Sequence, residues 1–174
     1  MNNSDETTLH STQLMKLFEL ELKDIHWAEN AIVKAMPIMI EKATSPELID
    51  ALKIHLTQTK NQITRTIDVF ESINRQATTK ICRAMDGLIA QSEAIMEECV
   101  KGPMRDAGII SAAQKVQHYE IATYGTLCQI ANTLGLNDTA KLLQITLNEK
   151  KAADKKLTQV AVNVIYLKSN NEKD

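Results

Sequence analysis

A chain of 174 residues can bury a substantial core in one domain without a disulfide or a metal to hold it together. Five glycines, three prolines and abundant Leu, Ile, Ala, Lys and Glu, with 44% hydrophobic and only 3% aromatic residues, point to an all-α protein packed by aliphatic side chains. Twenty Lys and Arg against 22 Asp and Glu, dispersed along the chain, give no footprint for nucleic acid or an anionic membrane surface, and no apolar run approaches the ~20 residues of a membrane span.

Residues 1–7 read as a polar, disordered leader, 8–167 as one helical domain and 168–174 as a charged tail. The first helix is expected from Thr8 to Ala43. Its stripe of Leu14, Phe18, Leu22, Ile25, Glu29, Ile32, Met36 and Ile40 keeps a 3.5-residue rhythm in which Glu29 is the only charge. Pro37 predicts a kink, because proline lacks one backbone donor and presses on the preceding turn. His26 and Trp27 fall on the flank of this helix.

Ser45-Pro46-Glu47 is a strong helix start, with a capping hydroxyl, proline at the first helical position and an acid in the positive first turn. The second helix runs from there to Ser72, with Leu48, Leu52, His55, Gln62, Ile63, Thr66, Ile67 and Phe70 near its inner face. Residues 74–79 read as a loop. A shorter connecting helix from Lys80 to Val100 follows, packed outside the main bundle and ended by Lys101-Gly102-Pro103. Met104 to Leu134 forms the next long helix, with Ile109, Ala113, Val116, Glu120, Leu127 and Leu134 on one stripe, and Gly135 stops it. Asn137 or Asp138 then caps a last helix to about Ile165, whose inner stripe reads Leu142, Thr146, Glu149, Ala153, Leu157, Val160 and Val164.

Three cysteines, Cys82, Cys99 and Cys128, without C-x-x-C spacing, and a polar first 20 residues, predict a cytoplasmic, reduced chain whose thiols pack in the core or at the surface. His118 is expected half-exposed rather than as a support to a metal ligand, and Tyr119 and Tyr124 as packing residues by default, with redox service as their role if the chain is a metal enzyme.

Four long helices each carry one ionisable or metal-binding side chain near the middle of an apolar stripe: Glu29, His55, Glu120 and Glu149. A buried, unpaired carboxylate is costly, so each acid needs a cation, a hydrogen-bond network, a metal or a proton. Glutamates and histidines inside a helical bundle are the usual ligands of di-iron and di-manganese centres. The pattern is incomplete, since no E-x-x-H pair occurs; the nearest substitutes, His55 with Gln58 and Gln117 with Glu120, bring no second charge. The other reading is a polar network in which Lys150, His55 and glutamine amides satisfy the acids.

The segments SPELIDALKIHLTQTKNQI, AAQKVQHYEIATYGTL and LNEKKAADKKL resemble the bacterial YciE/YciF proteins, the DUF892 family, in register from Leu14 to Ala161. The resemblance implies a ferritin-like four-helix bundle with a short additional connecting helix. It also implies a homodimer and an association with stress, with a di-metal centre suspected by similarity to rubrerythrin. Glu29, His55, Gln62, Glu120, Glu149 and Asp154 match polar positions of the family, Gln62 and Asp154 as parts of a polar network. Gln58, Gln117 and Lys150 stand where the family commonly has glutamate, a change of one charge unit at each glutamine and two at Lys150. Such compensation is expected where an ammonium takes over from a metal. Which of Glu149 and Lys150 turns inward is open, the two lying about 100° apart on a helix.

The expectation is therefore a stress-associated, ferritin-like protein with an impaired di-metal site, no cofactor, and a structural or interaction role. The alternative is an oxidoreductase holding two Fe or Mn ions per chain through Glu29, His55, Glu120 and Glu149. An iron-storage shell is a weaker third reading, because the resemblance implies a dimer.

Overall fold

The computed structural model describes residues 3–162, with side chains from His10 onward. Among them five helices and no strand occur: α1 (Asn3–Lys42), α2 (Pro46–Ser72), α3 (Arg83–Glu98), α4 (Pro103–Thr133) and α5 (Asn137–Val160). The expected tail, 168–174, and the last turn of the expected fifth helix lie outside the described residues. At the other end α1 begins at Asn3, so helix extends through most of the leader that was expected to be irregular. It also continues through Pro37, whose side is exposed, so the lost backbone bond faces water.

Local signals set most of the boundaries. Ser45 caps α2 by accepting from the Leu48 amide at 3.4 Å, with Pro46 at the first helical position. The chain leaves α2 through Asn74, at φ 55°, whose amide donates to the Glu71 carbonyl while the Arg75 amide donates to that of Phe70. Gly135, at φ 72°, ends α4 with the same pair of bonds, from its own amide to Asn132 and from Leu136 to Ala131. Both ends are Schellman turns, which need a left-handed residue that Gly supplies freely and Asn tolerates.

Side-chain bonds across the bundle give its topology. Thr44, after α1, bonds Asp106 at the start of α4. Ser72, at the end of α2, bonds Thr139 at the start of α5. Helices α1, α2, α5 and α4 thus form a ring of antiparallel neighbours, and α3 lies outside, against α4 and α1, returning the chain along the bundle. This is the ferritin-like arrangement, and 16 residues of α3 span roughly 24 Å of it at 1.5 Å per residue.

The apolar core falls into two clusters. One gathers Phe18, Leu22, Ile25, Phe70, Leu127 and Leu143; the other gathers Met39, Leu48, Leu52, Ile109, Ile110 and Leu157. On α2 and α5 these clusters are separated by polar buried residues, His55, Thr59, Gln62 and Thr66 on one helix and Thr146 and Lys150 on the other. No described helix is long and apolar enough to cross a membrane.

Candidate functional site

The stripe on α1 carries Glu29 into the centre of the bundle, and α4 presents Gln117, Glu120 and Tyr124 from one face at i, i+3 and i+7. Glu29, Glu120 and Gln117 are completely inaccessible to solvent, and so is Lys150 from α5. The Lys150 ammonium sits between the two carboxylates, donating to Glu120 Oε1 at 2.6 Å and to Glu29 Oε2 at 3.1 Å. Tyr124 OH donates to the other Glu29 oxygen at 2.8 Å. Tyr124, expected by default to pack, is thus a polar member of the centre. Its place at Glu120 plus four and Gln117 plus seven is the signal that could have found it.

Fully ionised, two carboxylates and one ammonium would leave one negative charge uncompensated where solvent reaches none of the three side chains. Burial resists it, and with Glu29 nearby it pushes the Glu120 pKa up to about 8 despite Lys150. Burial also works against the Lys150 charge, but Glu120 and Glu29 outweigh it and hold the lysine above its ordinary pKa. Burial first, and then Glu29, raises the Tyr124 hydroxyl well above its ordinary value, so it stays a donor. An ammonium in this position would be very costly without both partners.

The other two candidate residues lie apart from this triad. His55 faces Gln117, with Nε2 to amide nitrogen at 2.8 Å, and burial, followed by the Lys150 charge, lowers its pKa to about 3. It is a neutral imidazole. Glu149 accepts both guanidinium nitrogens of Arg65 at 3.0 Å and the Gln62 amide at 2.8 Å. Arg65 also donates to Thr146 at 2.7 Å. Burial raises Glu149, but these hydrogen bonds prevail and hold it below the usual carboxylate range. The expected inner stripe of α5 is therefore rotated: Lys150, four residues after buried Thr146, takes the innermost position, while the Glu149 side chain is 28% exposed. Arg65, which sequence reasoning did not single out, sits one turn after Gln62 on the same face of α2.

Gln58 is half-buried and lines a cavity of about 120 Å³ with His55, Gln117 and Lys156. An apolar cavity of about 30 Å³ reaches His55 from the α1 and α3 side, through Met36, Met39 and Met96. Neither cavity is lined by Glu29, Glu120 or Lys150. Asp154 on α5 is half-buried and faces α4, 3.2 Å from the largely exposed His118 and 3.5 Å from the Gln114 amide. His26, expected on a flank, is buried; its Nδ1 meets Thr66 Oγ1 at 2.6 Å and its ring stands edge-on to Phe70, because α2 covers that side of α1.

This donor set does not fit a pair of metal ions. The carboxylates that converge, Glu29 and Glu120, already hold an ammonium, His55 is turned to an amide, and Glu149 is held by Arg65. Among the described residues no three His, Cys, Asp or Glu side chains gather as metal ligands.

The model of DUF892, a domain of unknown function, matches residues 13–169. The chain belongs to the DUF892 family. Protein YciF of Escherichia coli K12 is 41% identical to this DUF892 chain over 152 residues, 87% of it and 92% of YciF. The crystal structure of the E. coli stress protein YciF superposes with a TM-score of 0.83 at 41% identity, covering 86% of this chain and 95% of that one. YcfI of Rhodopseudomonas palustris gives 0.82 at 43% identity, over 85% and 94%. A Xanthomonas campestris protein at 19% identity, TM-score 0.72, over 94% of this chain and 99% of its own, shares the fold.

Proposed function

We propose that this DUF892 protein is a stress-associated helical bundle that acts through its structure or a binding partner, with an ammonium holding the bundle centre in place of metal ions. The observation that carries this reading is the Lys150 ammonium, wholly buried, at 2.6 and 3.1 Å from Glu120 and Glu29. These carboxylates have their cation already, and solvent reaches none of the three side chains. A centre of this kind rigidifies a bundle and gives a substrate no approach. The names of its relatives support the rest: E. coli YciF is called a stress protein, and YcfI is provisionally assigned a structural role. The same reading makes the chain a cytoplasmic homodimer, for which the exposed Leu17, Leu20 and Ile38 along α1 offer apolar surface.

The test is elemental analysis of the purified protein from cells grown with added iron and manganese, with metal counted per chain. Essentially none is expected. About two ions per chain, the number a di-metal carboxylate centre holds, would overturn the reading and make a di-iron or di-manganese oxidoreductase the function instead. Light scattering should give twice the mass of one chain, and a monomer would remove the dimer.

A further inference from the structure

We propose that the groove between α1 and α3 binds a small organic monocation, a protonated amine joined by a short chain to an aromatic ring, with its ammonium among His26, Asn30 and Asp86 and its ring on Trp27. The proposal goes beyond the reading above and stands whether or not the bundle centre takes up metal.

The groove has a volume of about 580 Å³, within the range of roughly 300–1,000 Å³ usual for small-molecule sites. His26, Trp27, Asn30 and Lys34 line it from α1, and Asp86, Ile89 and Glu93 from α3. His26 is the decisive group. Thr66 has one hydroxyl proton, which it donates to the Ile63 carbonyl at 2.7 Å, so at the 2.6 Å contact it accepts from His26 Nδ1–H. Burial, against the opposing pull of Glu29, lowers the His26 pKa and keeps the imidazole uncharged at neutral pH. Its lone pair is therefore on Nε2, which meets no hydrogen-bond partner among the described residues. The residue is only 8% exposed, yet it lines the groove. Held from α2 by Thr66 and Phe70, the ring offers the groove a buried acceptor in a fixed orientation.

The surrounding groups select the ligand. The Asn30 amide nitrogen is committed to the His26 carbonyl at 2.8 Å, which leaves its oxygen as a second acceptor. Asp86 supplies a third, and an ammonium carries three diverging N–H donors to meet them. Asp86 and Glu93 against Lys34 leave one negative charge in the wall, which a monocation balances. Asp86 and Glu93 stand seven residues apart on α3, about 10 Å along its axis. They cannot share one metal ion, and among the described residues no three His, Cys, Asp or Glu side chains gather as ligands. Half-buried Trp27 adds an indole face that attracts a cation and stacks an aromatic ring, with Ile89 as apolar wall on α3.

Trp27 is the single tryptophan of the chain, so its fluorescence reports on the groove directly. The experiment titrates the full chain with 2-phenylethylamine, and in parallel with 2-phenylethanol and 3-phenylpropionate, which keep the ring and replace the ammonium by a hydroxyl or a carboxylate. The amine is expected to give a saturable change with a Kd at or below about 1 mM, and the other two to bind at least tenfold more weakly. Exposed Asp86→Asn is expected to weaken amine binding about tenfold, and Glu97→Gln, an exposed acid of α3 away from the groove, to leave it unchanged. His26→Phe, which keeps a ring and loses Nε2, is expected to weaken it by a similar factor. Should circular dichroism show His26→Phe unfolded, Asp86→Asn decides alone. No saturable change up to about 10 mM amine overturns the proposal, as does equal binding of the alcohol or the acid. Full affinity in Asp86→Asn, or in a folded His26→Phe, overturns it as well.

Discussion

Glu120 and Lys150, thirty residues apart in sequence and on separate helices, meet at 2.6 Å where solvent reaches neither. Each is tolerable there only because of the other. Replacing Lys150 by Met is expected to destabilise the fold by about 3–5 kcal/mol, the range for breaking a buried ion pair from one side. Replacing both acids by glutamine in the Lys150→Met background should recover most of that loss, because no charge is then left unpaired. Urea unfolding midpoints at constant slope are the measurement.

Stability should fall on both sides of a mildly acid plateau. Glu120 rises from 4.5 unfolded to about 8 folded, so its share of stability is full below 4.5 and is lost as pH climbs through about 8. His55 falls from 6.5 to about 3, so its share is full above 6.5 and is lost as pH drops through about 3. Between 4.5 and 6.5 the two slopes oppose each other. Unfolding midpoints across a pH series should flatten on the alkaline side in Glu120→Gln and on the acid side in His55→Gln.

Tyr124→Phe keeps the ring that fills the core and deletes only the donor to Glu29 Oε1. A buried carboxylate oxygen is then left without a partner, at a cost of about 1–3 kcal/mol. Tyr119→Phe, which loses a half-buried contact with the Cys82 thiol at 2.9 Å, should cost under about 1 kcal/mol in the same assay.

Asp106 accepts from the Thr44 amide and hydroxyl at 2.7 Å and from the Ser45 amide at 2.8 Å, tying the turn between α1 and α2 to the start of α4. Asp106→Ala should cost about 3 kcal/mol, since hydrogen bonds to a charged group are worth roughly 1.5–3 each and water replaces part of the loss. Hydrogen exchange should speed up at the amides of Thr44 and Ser45 while the middle of α2 stays protected.

Two helical glycines make a matched pair. A Cβ on Gly108 would lie 2.6 Å from Ile95 Cγ2 and 3.2 Å from Cys99 Sγ, so alanine there forces the Ile95 side chain, or α3 with it, to shift. The expected net loss is about 1–2 kcal/mol, overpacking outweighing the helix-propensity gain. At Gly125 nothing lies within 4 Å, and alanine should stabilise by about 0.5–1 kcal/mol. Thermal denaturation of both variants separates the two outcomes.

Much of this molecule was legible in the sequence, because helices announce themselves locally. The 3.5-residue stripe from Phe18 to Met36, the Ser45-Pro46 start, and the stops at Gly102-Pro103 and Gly135 each act over a few residues, and the observed boundaries of α2 and α4 follow them closely. Glu29, His55 and Glu120 were visible as polar breaks in apolar stripes for the same reason.

What the tertiary structure alone decided is how each helix is rotated and what it meets. Glu149 and Lys150 are neighbours about 100° apart, and periodicity admits either as the inner residue of α5. Packing of α5 against both α2 and α4 turns Lys150 to the acids and Glu149 to Arg65. The reach of Asp106 to Thr44, of Tyr124 to Glu29 and of His26 to Thr66 likewise joins residues at least 40 positions apart. Local periodicity chose the faces, and the mutual burial of four helices chose the partners.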